Sequence, residues 1–104
     1  MKVYISGGIS NVPDYQEKFE SAEKWLKAKG HYVINPAKVG LSLDFLSQPE
    51  FMKLSHTLID LSDYVFMLHG WQNSKGANAE LVYAKSICKP IKYQDYFGRG
   101  KNER

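Results

Sequence analysis

One cysteine in a chain of 104 residues, Cys88, excludes an intrachain disulfide. Set at a helix end near Ile87 and Pro90, it reads as a buried small hydrophobe rather than a nucleophile. The three histidines, His31, His56 and His69, lack metal-ligand spacing, and no Cys or His pair completes a zinc site. No metal and no organic cofactor is therefore expected. No apolar run approaches the ~18 residues of a membrane span, and no signal peptide precedes the first strand. The expectation is a cytoplasmic protein with no membrane partner. Internal repeats, low-complexity segments, a Walker A loop, a G-x-G-x-x-G fingerprint and a Ser-His-Asp constellation are absent too, which weakens nucleoside triphosphate and NAD readings. Excess charge is small, at +3 with a pI of about 8.9. Much of it sits in the tail at Arg99, Lys101 and Arg104, offset by Glu103. Lys18, Lys24, Lys27 and Lys29 alternate with glutamates, as on a solvated helix face. A nucleic-acid partner is not expected, whereas a groove for anionic small molecules suits the same charge.

What is present suffices for one small core: 43% of residues are hydrophobic and 13% aromatic, while 24% are charged, which argues against disorder. Lys2 to Ser6 predicts a strand stopped by Gly7-Gly8. Asp14 to Lys29 predicts a helix, with Tyr15, Phe19, Ala22, Trp25 and Leu26 on its apolar side and Gly30 as its stop. His31 to Ile34 predicts a second strand closed by Asn35-Pro36, followed by a loop to about Gln48. Phe51, Leu54, Leu58 and Leu61 mark a second helix, and Tyr64 to Leu68 is apolar enough for a central buried strand. A loop from His69 to Lys75, a helix from Gly76 to Cys88 and a strand from Ile91 to Tyr93 complete a domain spanning 1–93. Residues 94–104 read as a loose basic tail. Alternating strands and helices predict an α/β, flavodoxin- or Rossmann-like three-layer sandwich, with a parallel sheet of four or five strands in the order 2-1-3-4. In such a sheet ligands bind where the winding reverses, here between the loops Gly7 to Pro13 and His69 to Lys75.

Those loops hold the residues with chemistry. Gly7, Gly8, Ile9 and Ser10 let backbone N–H groups approach a phosphate, or else form a tight turn that needs positive φ. Ser74 and Gly76 repeat that logic at the next helix, where Ser74 is equally an N-cap. Glu80 shares a stripe with Ala77, Ala84 and Ile87 on a largely apolar helix. A carboxylate there either complements the helix dipole or faces a partner or pocket. His69 and Gly70 end the central strand beside the crevice. Trp71 and Tyr4 are placed to stack on a base, with an interface and the core as their respective alternatives.

Tyr4-Ile5-Ser6-Gly7, the run from Gly70 to Ala84 and, less specifically, Asn35-Pro36 resemble the nucleoside 2-deoxyribosyltransferase superfamily. Within it the chain is similar to the 2′-deoxynucleoside 5′-phosphate N-hydrolases and, closest, to short bacterial and phage proteins that begin with the same Lys-Val-Tyr-Ile-Ser-Gly run. The resemblance covers Val3 to about Tyr93. It implies a flavodoxin-like fold, Glu80 as the nucleophile that forms a glycosyl ester, and Tyr4 as the residue that positions it. It further implies contacts to sugar and phosphate from Ser6 to Ser10 and from Ser74 and Gly76, with a nucleotide or nucleoside as ligand and a homo-oligomer, by default a dimer. Three departures stand out. Where the family carries an aspartate on the second helix this chain has Ser55, with His56 adjacent, leaving His56, Asp60 or a water to assist. Gly8 and Ser10 replace a serine and an arginine, and Val82 replaces a glycine. The expected function is cleavage or transfer at the N-glycosidic bond of a 2′-deoxynucleoside 5′-monophosphate or nucleoside. Alternatives are a degenerate nucleotide-binding or sensor module, motivated by Ser55, and an adaptor using the basic tail and Trp71.

Overall fold

The computed structural model describes residues 1–10 and 12–94. Four strands, β1 (Lys2–Ser6), β2 (Tyr32–Ile34), β3 (Tyr64–Met67) and β4 (Ile91–Tyr93), form a wholly parallel sheet in the order β2-β1-β3-β4. Helices α1 (Tyr15–Ala28), α2 (Pro36–Ser42), α3 (Gln48–Asp60) and α4 (Lys75–Ser86) cover its two faces. This is the expected flavodoxin- or Rossmann-like sandwich, and the described residues hold four strands rather than five.

Two-residue alternation along the central strands sorts the core into two layers. Val3, Ile5, Tyr64 and Phe66 turn toward α1 and α2, where they meet Phe19, Ala22, Leu26 and Ala37. Tyr4, Val65 and Met67 turn the other way, toward Ile59 of α3 and Ala77, Leu81 and Ala84 of α4. All four residues of β3 are buried, as its unbroken apolar run demands of a central parallel strand. The register sets Tyr4 between Ile34 and Val65, and Ser6 opposite Met67.

Capping explains where the periodicity misplaces element ends. The segment after β2 is not a loop throughout: Asn35 caps α2, its side-chain oxygen accepting from the N–H groups of Ala37 (3.0 Å) and Lys38 (3.4 Å), with Pro36 as first residue. Seven residues that include Gly40 are too few for an apolar period to register. Helix α3 begins earlier than Phe51, because Ser47 and Glu50 form a reciprocal capping box ahead of the first apolar residue. Asp14 stands at the N-cap of α1 but makes no side-chain cap; its carboxylate lies 4.0 Å from Lys18 Nζ.

Helix α4 stops at Ser86, short of Cys88. Cys88 and Lys89 donate back to the carbonyls of Lys85 (3.0 Å) and Ala84 (2.8 Å), the two bonds of a Schellman ending. That ending puts Cys88 at φ 60° and in solvent, which corrects the expectation of a buried thiol. The face of α1 is corrected too. Glu20 and Lys24 pair in solvent, but Glu23 is buried, held by Lys27 (2.7 Å), Asn35 (2.9 Å) and Lys38 (3.1 Å). Gln94, first residue of the expected tail, accepts a bond from the His69 N–H at 2.8 Å. The rest of that tail, with Arg99, Lys101, Glu103 and Arg104, lies outside the described residues. No helix among the described residues is long and apolar enough to cross a membrane.

Candidate active site

Glu80 lies on the second turn of α4 and faces β1. Its Oε2 accepts from the Tyr4 hydroxyl at 2.7 Å and its Oε1 from Ser6 Oγ at 2.5 Å. Tyr4 and Ser6 are two residues apart on one strand, so both project from the α3–α4 face of the sheet. The long tyrosine and the short serine then bring their hydroxyls to opposite oxygens of one carboxylate. Both donors are fully buried, whereas Glu80 keeps part of its surface in solvent. Ser55 of α3 stands with its Oγ 3.3 Å from the Tyr4 hydroxyl oxygen. Tyr4 has one proton, committed to the carboxylate by the shorter, charge-assisted bond, so Ser55 is the donor in this second contact.

Burial pushes the Glu80 carboxyl above the usual range; the bonds from Ser6 and Tyr4, the nearby Ser55 hydroxyl and His56 only partly oppose it. Burial, reinforced by the negative charge of Glu80, drives Tyr4 well above the ordinary phenol range. The pair thus joins a carboxyl that ionises less readily than an ordinary one to a tyrosine that holds its proton. Tyr4 serves through its hydroxyl alone, since a ring with no exposure is out of reach of a base; the stacking expectation for Tyr4 is corrected. His56 lies flat on Tyr83, with centroids 3.8 Å apart and planes at 5°. Tyr83 in turn donates to Asp60 Oδ1 at 2.6 Å, so Asp60 is engaged there rather than at Glu80.

The two glycine-bearing loops meet beside this cluster. Neither Gly7 nor Gly8 has positive φ, so the turn geometry first suggested for them is not the reason for glycine. A Cβ on Gly7 would stand 2.9 Å from Leu68 Cδ1 and 3.0 Å from Leu68 Cβ: the ends of β1 and β3 run too close for a side chain. A Cβ on Gly8 would stand 3.1 Å from Val12 Cγ2 and 3.5 Å from Ser74 Cβ, which sets the first loop against the start of α4. Ser74 is the N-cap, accepting from the Ala77 N–H at 3.1 Å, and Gly76 lies in the exposed first turn. The first-turn N–H groups of α4 thus point to the same corner as Gly8, with the positive helix end behind them. Ile9 and Ser10 are exposed.

The second loop is shaped by Gly70 at φ 85°, which starts a 3-10 turn over Trp71–Asn73. His69 is exposed, and Trp71 is partly buried with its ring 5.9 Å from that of Tyr93. Asn78 was missed as a site residue. Its Nδ2 lies 2.8 Å from the Ser74 carbonyl, 3.0 Å from that of Gln72 and 3.4 Å from that of Trp71, stapling this loop to α4. An amide four residues after a capping serine was the available signal. Among the described residues no three His, Cys, Asp or Glu side chains converge as a metal site requires. A groove of about 280 Å³, lined by Asp14, Glu17, Lys18, Ser21 and Gln94, lies apart from Glu80.

Residues 1–93 match the model of a family described as a domain of unknown function (DUF4406). No curated protein and no solved structure matches the chain.

Proposed function

The chain belongs to the DUF4406 family, and we propose that it cleaves or transfers the N-glycosidic bond of a 2′-deoxynucleoside 5′-monophosphate, or of the nucleoside. The carrying observation is a carboxylate with each oxygen held by a buried hydroxyl, partly open to solvent, beside two converging loops. An ionised Glu80 fixed in this way is oriented as a nucleophile. One oxygen attacks the anomeric carbon while the carbon–nitrogen bond breaks and its electron pair leaves with the base. The base takes its proton from solvent, and a glycosyl ester stands on Glu80. Water then adds at the same carbon, giving the free sugar phosphate and restoring the carboxylate; in transfer a second base takes that place. Gly8, Ser74 and the first-turn N–H groups of α4 would receive the 5′-phosphate. His69, Gly70 and Trp71 would border the base.

Ser55 supports a second reading, a nucleotide-binding module without turnover. Among the described residues Glu80 is the only carboxylate hydrogen-bonded within this cluster, and Asp60 is bonded to Tyr83 instead. Chromatography of the four deoxynucleoside monophosphates after incubation with wild type and Glu80→Gln tests both readings. Free base from wild type alone supports glycosidic chemistry. Saturable calorimetric binding with no base released supports the module, and neither signal would refute both. The proposal includes a cytoplasmic nucleotide pool as setting and a homodimer, because β2 and β4 are the edge strands of the sheet among the described residues. Sedimentation at a monomer's mass would remove the dimer.

A further inference from the structure

Beside Glu80 the side chains of α3 and α4 interlock. His56 and Asp60 are four residues apart on α3, and Glu80 and Tyr83 are three apart on α4, so each pair lies along one helix face. The two helices pack side by side on the same face of the sheet. Where they meet, the half-buried His56 ring lies flat on that of Tyr83, with centroids 3.8 Å apart and planes at 5°. The Tyr83 hydroxyl donates to Asp60 Oδ1 at 2.6 Å, and Lys89 Nζ donates to the Asp60 carbonyl at 3.2 Å. Asp60 thus fixes Tyr83, and Tyr83 fixes the plane of the imidazole.

Electrostatics follow the same path. The bond to Asp60, and then burial, raise Tyr83 above the ordinary phenol range, so it remains a neutral donor. The face of a phenol ring is its negative side, and one whose hydroxyl points at a carboxylate suits a positively charged ring stacked upon it. At the far end of the path, a positive charge on His56 favours the ionised form of Glu80. Tyr4 and Ser6 give that carboxylate hydrogen bonds but no positive charge. The ionisable groups joined by these contacts are Tyr4 on β1, His56 and Asp60 on α3, Glu80 and Tyr83 on α4, and Lys89 just beyond it.

We propose that His56 is a positioning residue for Glu80: seated on Tyr83, which Asp60 holds, it sets a charge beside the carboxylate as a third partner after Tyr4 and Ser6. This role rests on the reading of Glu80 as nucleophile; the coupling itself is measured without substrate, so the two fail separately.

Carbon-13 NMR of the Glu80 carboxyl, followed against pH in the full chain, tests the coupling. His56→Gln is expected to move the Glu80 titration to higher pH, because the favouring charge is gone. His56→Arg, whose planar cation stacks on an aromatic face, is expected to hold it at the wild-type position or below. Tyr83→Leu should move it in the same direction as His56→Gln but less, and add nothing in a His56→Gln background, since Tyr83 acts through the imidazole. The wild-type chain gives an independent reading, because coupling is reciprocal: the His56 imidazole signals should show an inflection at the pH where Glu80 titrates, and Glu80→Gln should remove it. An unmoved Glu80 titration in His56→Gln overturns the proposal, as does His56→Arg behaving like His56→Gln. Absence of the wild-type inflection overturns it whether or not any variant folds.

Discussion

Removing the Tyr4 hydroxyl, in Tyr4→Phe, should cost stability in a way that depends on the charge of Glu80. The hydroxyl is fully buried and donates at 2.7 Å to Oε2. A hydrogen bond to a charged acceptor contributes about 1.5–3 kcal/mol, against roughly 1 kcal/mol between neutral groups. The Glu80 carboxyl is raised from its ordinary 4.5, so it is ionised in the fold only above that value. The charged contribution is therefore present above the raised value and lost as pH falls through it. For a chain of this size 1 kcal/mol corresponds to about 4 °C in Tm. Tyr4→Phe should then lower Tm by about 6–12 °C at pH 7, and by about 4 °C at pH 4. Calorimetric melts of both proteins at the two pH values measure this. Repeating them in a Glu80→Gln background closes a double-mutant cycle, where about 0.5–2 kcal/mol of coupling is expected at pH 7. Equal losses at both pH values, or a coupling near zero, would refute the charge-assisted Tyr4–Glu80 bond. If the chain turns over nucleotide, the acid limb of base release should also move to higher pH in Tyr4→Phe, because one of the bonds favouring the carboxylate is gone.

Gly7→Ala should destabilise the chain by about 1–3 kcal/mol in urea melts, because its methyl would overlap the buried Leu68 side chain; an unchanged midpoint would contradict that close approach. Cys88→Gly should raise the unfolding free energy in urea melts by roughly 0.5–1 kcal/mol by relieving φ 60° at the end of α4, and a lower value would argue against a left-handed cap. Burial would raise the Glu23 carboxyl, but bonds from Lys27, Asn35 and Lys38 outweigh it and hold the group at about 2. Its stabilising effect is complete above 4.5 and disappears as pH falls through about 2. With both lysines more than half exposed, Glu23→Gln should cost about 1–2 kcal/mol at pH 7 and little at pH 2, as pH-dependent urea melts would report; a pH-independent loss would contradict the ion pairs.

Local pattern determined much of this protein. The unbroken apolar run at Tyr64 to Met67 is enough to specify a central strand. The period of Phe19, Ala22 and Leu26 specifies a helix buried on one side, and alternation of the two types leaves a parallel sheet in the order observed. Gly7, Ser74 and Glu80 stand out in the sequence because composition marks loops and out-of-place charges. Even so, the reason for Gly7 was not legible: it is steric approach to Leu68, 61 positions away, rather than backbone φ. Cys88 misled because its neighbours are apolar while the helix ending that exposes it depends on backbone bonds. Glu23 looked like its solvated neighbours, since its partners Asn35 and Lys38 come from another element. Only the tertiary structure could bring Tyr4 and Ser6 to the two oxygens of Glu80. Periodicity encodes which side of an element is buried; the register of one strand against a distant helix is decided by packing, and chemistry depends on that register.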